Sequence, residues 1–306
     1  MKHPAAIIIH GGAGHVTKYI KENQAAYESG LKTAVMKGYD ILLRGGTALD
    51  AVETAIISLE DNELFNCARG SALNYEGKVE MDAALMDGSK RKAGAVSMIR
   101  NVRNPISLAR KVMEKTNHVY IAGSGALQLA LSEKLKLEED DYFITPHQEE
   151  EYRKTHKKES IRTILKKFIG GTVGAVAVDC KGHVASGTST GGEVNNLPGR
   201  VGDSCIIGAG CYANDATCAI SCTGDGEFLI TGVIANSISK VKELTGCSLQ
   251  EACDRVIHRD NKGVKGDLGA IALTPGGDMG IAFNSERMHR AWISPDGHLH
   301  IKIYKE

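Results

Sequence analysis

The chain has 306 residues, and its 37 Lys and Arg balance 37 Asp and Glu, so no basic excess draws it to nucleic acid or an anionic membrane. A hydrophobic share of 42% is that of a soluble globular protein with a sizeable core, and the N-terminal apolar run Ala5–Ile9 is too short for a membrane span or an export signal. The eight cysteines (67, 180, 205, 211, 218, 222, 247 and 253) contain no Cys-x-x-Cys, which removes the usual zinc and redox motifs and leaves reduced thiols in a cytoplasmic protein as the expectation.

In chain order, Ala5–Ile9 reads as a short strand and His10-Gly11-Gly12-Ala13-Gly14 as a glycine loop. That loop lacks Gly-x-Gly-x-x-Gly spacing and a following Lys-Ser/Thr, so the nucleotide signal is weak. A helix is expected over about 20–44 and ends at Gly45-Gly46. Thr47 opens a second helix with capping-box spacing to Asp50. The loop from Leu59 to Ser71 is irregular and rich in carbonyl oxygens. Val79–Gly88 resembles a strand running into a turn. Strands near 93–99 and 117–121 and helices near 105–116 and 123–134 follow. Residues 147–168 are dense in charge and read as a mobile linker. Beyond it come strands at 172–179, 183–189, 216–222, 267–274, 278–284 and 298–304, with helices at about 226–245 and 248–259. Helices alternating with sets of strands predict a layered α/β protein.

The central stretch is Gly170-Gly171-Thr172 followed by Val173–Asp179, a charged segment feeding an apolar strand. Cleavage of the Gly171–Thr172 bond would make Thr172 an N-terminus whose α-amine activates its own hydroxyl. The same residues also fit a plain turn entering a strand. Four later clusters bear on the choice: Thr188–Gly192, Leu197–Ser204, Ala209–Ala213 and Cys222–Glu227. Thr190 is the candidate hydroxyl partner of Thr172. Thr223 and the amide of Gly224 are candidate oxyanion donors. Arg200 offers a bidentate fork for a carboxylate, and Asp203 an anion for an ammonium. Each has a plainer role open to it: strand turn, helix cap, or an Arg200–Asp203 ion pair.

With these motifs in this order, the chain resembles the plant-type L-asparaginase/isoaspartyl peptidase family of N-terminal-nucleophile hydrolases. The likeness runs from His10-Gly11-Gly12 to the last strands and is densest in Gly171–Ala177, Thr188–Gly192, Gly199–Ser204 and Thr223–Gly226. The resemblance implies an αββα sandwich over residues 1–306 as one domain, cut into an α subunit (1–171) and a β subunit (172–306). It implies Thr172 as nucleophile, Thr190 as its partner, Thr223 and Gly224 as oxyanion hole, and Asn66 pointing toward the nucleophile. Arg200, Val201, Gly202, Asp203, Thr223, Gly224, Asp225 and Gly226 become the substrate-binding set. Main-chain carbonyls of Leu59, Glu60, Asn62, Phe65, Cys67 and Arg69 would face a structural Na+, with no cofactor in catalysis. The implied activity is hydrolysis of L-asparagine and β-aspartyl dipeptides. The partners expected are small amino-acid or dipeptide substrates and a second αβ unit in a homodimer, with no nucleic acid or membrane.

Two departures from the family pattern stand out. Ala68 replaces a glycine expected at positive φ, and Asp225 brings a carboxylate that would favour neutral asparagine over acidic tails. A glycosylasparaginase-like amidase and an unprocessed, non-catalytic member remain the alternatives. The first usually carries Asp-Thr-Ile-Gly at the nucleophile, against Gly171-Thr172-Val173-Gly174 here.

Overall fold

The computed structural model of the protein describes residues 5–156 and 171–305; Gly170 and residues 157–168 of the expected linker lie outside them. The first apolar run forms strand β1 (Ala6–Gly14). Its side chains alternate: Ile7 and Ile9 enter a core beneath helices, whereas Ala6 and Ile8 enter a core between two sheets. Strand β5 (Val173–Val178) does the same, with Val173, Ala175 and Ala177 on one face and Val176 and Val178 on the other. Burial on both faces explains why these strands read as unbroken apolar runs.

The larger sheet has eight strands in the order β12 (Leu299–Tyr304), β11 (Arg287–Ile293), β1, β5, β6 (Val184–Thr190), β2 (Met81–Asp87), β3 (Lys92–Ile99) and β4 (Tyr120–Ala122). The smaller has four: β10 (Met279–Phe283), β9 (Leu268–Leu273), β8 (Ala219–Gly224) and β7 (Cys211–Ala213). Helices α2 (Gln24–Leu43), α3 (Ala48–Glu60), α4 (Pro105–Lys115) and α5 (Gly123–Ser132) cover the outer face of the large sheet. A short α1 (Lys18–Glu22) precedes α2. After α6 (Asp140–Phe143), α7 (Pro146–His156) and α8 (Gly226–Thr231), helices α9 (Ile234–Thr245) and α10 (Leu249–Asp254) cover the small sheet. The layers are therefore helix, sheet, sheet, helix, as expected.

Register positions the site. His10 of β1 and Thr188 of β6 both lie opposite Gly174 of β5. Asp82 of β2 lies opposite Thr190 at the end of β6. The start of β5 and the end of β6 thus sit side by side, facing the end of β8 from the second sheet.

Local signals held where one element decides them. Thr47 Oγ1 accepts the Asp50 amide at 3.1 Å and donates to Asp50 Oδ2 at 2.7 Å, which starts α3. The eight cysteines are all unpaired.

Other readings are corrected. The expected helix at 20–44 breaks at Asn23, whose side chain donates to Tyr19 O at 2.9 Å. The expected helix at 226–245 is two, parted at Val233, whose φ is +47°. The helix expected to reach 259 continues past Asp254 as a π-helical turn over Arg255–Asp260. The charged segment from 147 is helical as far as His156. Opposite charges recur there at i,i+4, as in Glu149–Arg153 and Glu150–Lys154, the latter at 2.8 Å. Strand β11 was not anticipated because Arg287, His289 and Arg290 make it look like loop. Arg287 instead donates to the carbonyls of His15 (2.8 Å) and Gly12 (3.2 Å), and Arg290 to that of Met288 (2.9 Å).

Candidate active site

Thr172 stands immediately before β5 and is buried. Each of its polar groups is engaged. Its Oγ1 lies 3.2 Å from Ser204 Oγ. Its amide donates to Thr223 Oγ1 at 3.3 Å, and its carbonyl accepts from His10 Nδ1 at 2.8 Å. A carbonyl only accepts, so the His10 proton sits on Nδ1 and Nε2 accepts from Ser221 Oγ at 2.8 Å. Burial drives the His10 pKa down to about 3, against the opposing hydrogen bond to Thr172, so the ring is neutral. Only glycine fits at position 174, because a Cβ there would overlap Ser221 Oγ and His10 Nε2.

The carbonyl of Gly171, on the bond expected to be cut, also has donors. Asn66 Nδ2 donates to it at 2.9 Å and to Gly192 O at 2.7 Å, while Asn66 Oδ1 accepts the Ala72 amide at 2.7 Å. Thr190 Oγ1 donates to Gly171 O at 3.4 Å and accepts the Gly192 amide at 3.1 Å. In this uncut chain the hydroxyl beside Thr172 Oγ1 is therefore that of Ser204, and Thr190 faces the preceding carbonyl instead. Thr223 Oγ1 accepts from both Thr172 N and Ala13 N, the latter at 3.1 Å, which leaves its O–H to donate. Gly224 follows with φ +139°; a side chain there would overlap the carbonyl of Asp267.

Beside Thr172 lies a cavity of about 10 Å³ lined by Thr190, Glu193, Arg200, Asp203, Gly224 and Gly226, among others. That volume holds about one water. Arg200 donates through Nε and Nη2 to Glu227 at 3.0 and 2.8 Å, and through Nη2 to Glu193 Oε1 at 3.0 Å. Asp203 is buried, and its Oδ2 has no hydrogen-bond partner. Burial pushes the Asp203 carboxyl up to about 7, with Arg200 pulling the other way. Arg200 and Asp203 converge at Gly226, where a Cβ would lie 2.8 Å from Nη2 and 3.2 Å from Oδ1. A half-buried cation and a buried carboxylate meeting at one point match the two ends of an amino-acid head group.

A family model described as asparaginase matches residues 3–303. The chain belongs to the asparaginase family. It is 43% identical to the isoaspartyl peptidase/L-asparaginase of Xenopus laevis, over 97% of this chain and 94% of that protein. It is 42% identical to the isoaspartyl peptidase of Salmonella typhimurium, over 94% and 95%. The human isoaspartyl peptidase/L-asparaginase is 41% identical, over 98% and 96%.

Not every residue expected in the substrate set of this asparaginase-family chain lines the cavity. Val201 packs with the inter-sheet core. Asp225 turns its carboxylate to the Asp267 amide, at 2.9 Å, because the backbone at 266–267 offers a donor there. The loop from Leu59 to Arg69 spends four of the six carbonyls expected to face an ion on its own amides, Leu59 O accepting from Asn62 N at 3.1 Å. Glu60 O accepts from Arg69 N at 3.0 Å, Asn62 O from Phe65 N at 3.2 Å, and Phe65 O from Cys67 N at 2.9 Å. A methyl at Gly70 would lie 2.6 Å from Glu63 O and 2.7 Å from Phe65 O, so two carbonyls crowd one point. Ala68 adopts φ +42°, the conformation that glycine takes easily. Hard main-chain oxygens suit an alkali cation. Among the described residues no cluster of three His, Cys, Asp or Glu suits another metal.

Three site residues went unassigned in the sequence. Ser204 ends a motif already singled out, and its hydroxyl was the available signal. His10 contacts Thr172 from 162 positions away, a pairing no local pattern reveals. Glu193 follows Gly191-Gly192 and looks like a solvated turn residue, yet it is buried.

Proposed function

We propose that the chain hydrolyses L-asparagine and β-aspartyl dipeptides with Thr172 as its N-terminal nucleophile, after cutting its own Gly171–Thr172 bond. The observation that carries this reading is the pairing at that bond: Gly171 O receives donors from Asn66 and Thr190, while Thr172 Oγ1 is buried against Ser204. In the uncut chain, Thr172 Oγ attacks the Gly171 carbonyl carbon, and the negative charge on its oxygen falls on those donors. The hydroxyl proton passes to the nitrogen as the C–N bond breaks, which frees the Thr172 α-amine and leaves Gly171 as an ester on Oγ. Water hydrolyses the ester, releasing the Gly171 carboxylate and restoring the Thr172 hydroxyl.

That amine, next to Thr223 Oγ1, then takes the proton of the Thr172 hydroxyl as Oγ attacks the substrate's side-chain amide carbon. Arg200 holds the substrate α-carboxylate and Asp203 its α-ammonium. The Thr223 hydroxyl and the Gly224 amide receive the oxyanion. The proton passes to the leaving nitrogen, which departs as ammonia from asparagine or as the amine of the second residue from a dipeptide. Water then releases aspartate from the Thr172 ester. His10 stays neutral and holds the Thr172 carbonyl, taking no part as a base.

A structural alkali cation belongs to this reading, held by the carbonyls of Leu59, Glu60, Asn62, Phe65, Cys67 and Arg69 and fixing the loop that carries Asn66. We place the enzyme in the cytoplasm, where eight unpaired cysteines suit a reducing medium. We also expect a homodimer of αβ units, with exposed Val119 and Tyr120 at the β4 edge as apolar contact surface. No helix among the described residues is long and apolar enough to cross a membrane. The test is ammonia release from asparagine and leucine release from β-Asp-Leu by the purified chain. Turnover of both supports the reading, and turnover of neither refutes it.

A further inference from the structure

The Arg200 guanidinium is nearly spoken for. Its Nε–Nη2 edge holds Glu227, with contacts of 3.0 and 2.8 Å. The remaining edge, Nη1–Nη2, is the one that could receive a second carboxylate bidentately. On that edge Nη2 already donates to Glu193 Oε1 at 3.0 Å. Glu193 is 7% exposed and lines the same cavity as Thr172, Arg200 and Asp203. An amino-acid head does not fit beside Arg200 in a cavity of about 10 Å³. Release of Gly171, which also lines the cavity, adds room without freeing the Arg200 edge.

We propose that Glu193 is an internal competitor for the substrate α-carboxylate at Arg200, and so sets the affinity of this chain for its substrates. The inference rests on the function proposed above. Before substrate arrives, a Glu193 carboxyl oxygen accepts from Nη2. Substrate binding replaces that oxygen with one from the α-carboxylate.

The competition depends on charge. The groups facing Glu193 are Arg200, Glu227, Asp225 and Asp203, with Asp82 acting on Arg200 from β2. Burial, reinforced by the three neighbouring carboxylates and opposed by Arg200, raises the Glu193 carboxyl to about 8. Below that pH Glu193 is protonated and yields the edge easily. Above it Glu193 is ionised and competes. Asp203 titrates near 7 with the opposite effect, since its ionisation helps hold the substrate ammonium.

The test is steady-state kinetics of the self-cleaved enzyme with L-asparagine, comparing wild type with Glu193→Gln. With the competing charge removed, KM at about pH 9 should fall about tenfold, and the fall at about pH 6.5 should be smaller. Glu193→Asp keeps a carboxylate and should keep the wild-type rise of KM with pH. Titration of the substrate ammonium is common to all three and cancels in the comparison. Should Glu193→Gln fail to mature, Glu193→Met repeats the test. Failure of both neutral variants to mature overturns the proposal, because Glu193 would then be needed for folding or processing. A KM in either neutral variant equal to or above that of wild type at both pH values also overturns it. A wild type that turns over neither asparagine nor β-Asp-Leu refutes the function itself. Turnover with an unmoved KM refutes only the role of Glu193.

Discussion

Asn66 uses both of its amide hydrogens and one lone pair of its oxygen beside the bond proposed to be cut. Its amide donates to Gly171 O at 2.9 Å and Gly192 O at 2.7 Å, and its oxygen holds the Ala72 amide at 2.7 Å. If cleavage passes through an oxyanion on Gly171, Asn66 is its best-placed donor, since the Thr190 contact is longer at 3.4 Å. Loss of one such donor elsewhere costs about 2.7–4 kcal/mol of transition-state stabilisation, so Asn66→Ala should cleave about 10²–10³-fold more slowly. The variant also gives up two further contacts of about 0.5–1.5 kcal/mol each, so its fold is checked by circular dichroism and melting. Asn66→Asp keeps the acceptor for Ala72 and turns the donor into a second oxygen, and should cleave slowly too. The assay follows the single chain into two bands on a denaturing gel from the moment of refolding. Folded variants that both cleave within about threefold of wild type, under 1 kcal/mol, would refute the assignment.

Three further predictions follow from the burial of charge. Arg200→Ala and Asp203→Ala each remove one partner of a charge pair with the substrate head group, which costs about 2–5 kcal/mol, so KM for asparagine should rise about thirtyfold or more while self-cleavage continues; an unchanged KM in both would remove them from the head-group site. Glu60 accepts from Ile106 N at 3.0 Å and Ser189 Oγ at 2.7 Å, its other oxygen has no partner, and burial raises its carboxyl from 4.5 to about 8. The folded state therefore keeps a proton that the unfolded chain has released, so this group's contribution is fully present below pH 4.5 and lost as pH rises through 8. In the uncut Thr172→Ala background, Glu60→Gln should flatten that loss by up to about 4 kcal/mol between about pH 5 and pH 9 in urea melts, and parallel profiles would contradict it.

Much of the fold was legible where a single face or a single cap decides the structure. Strand β5 announced itself because both of its faces are buried, and α3 because Thr47 and Asp50 cap it. Strand β11 hid behind Arg287, His289 and Arg290; the two guanidiniums donate to the carbonyls of His15, Gly12, Met288 and Tyr304, and burial keeps the His289 ring neutral, contacts invisible in sequence. The site divides in the same way. Thr172, Thr190, Thr223, Arg200 and Asp203 were readable because their motifs pair a reactive side chain with glycine turns at strand ends. Ser204 beside Thr172 depends on a contact spanning 32 residues, and His10 on one spanning 162. The burial of Glu193 is a product of packing, and so is the turning away of Asp225 toward Asp267.

The central claim is that Thr172 is both the agent of cleavage and the new N-terminus. Intact-mass measurement of wild type and Thr172→Ala, with N-terminal sequencing of any fragment, tests it most directly. Wild type should give two fragments whose masses sum to the 32.7 kDa chain plus one water, the second fragment beginning at Thr172. Thr172→Ala should remain one chain of 32.7 kDa and release no ammonia from asparagine. Cleavage of Thr172→Ala at the same bond, or a wild type that turns over asparagine while still intact, would contradict the account.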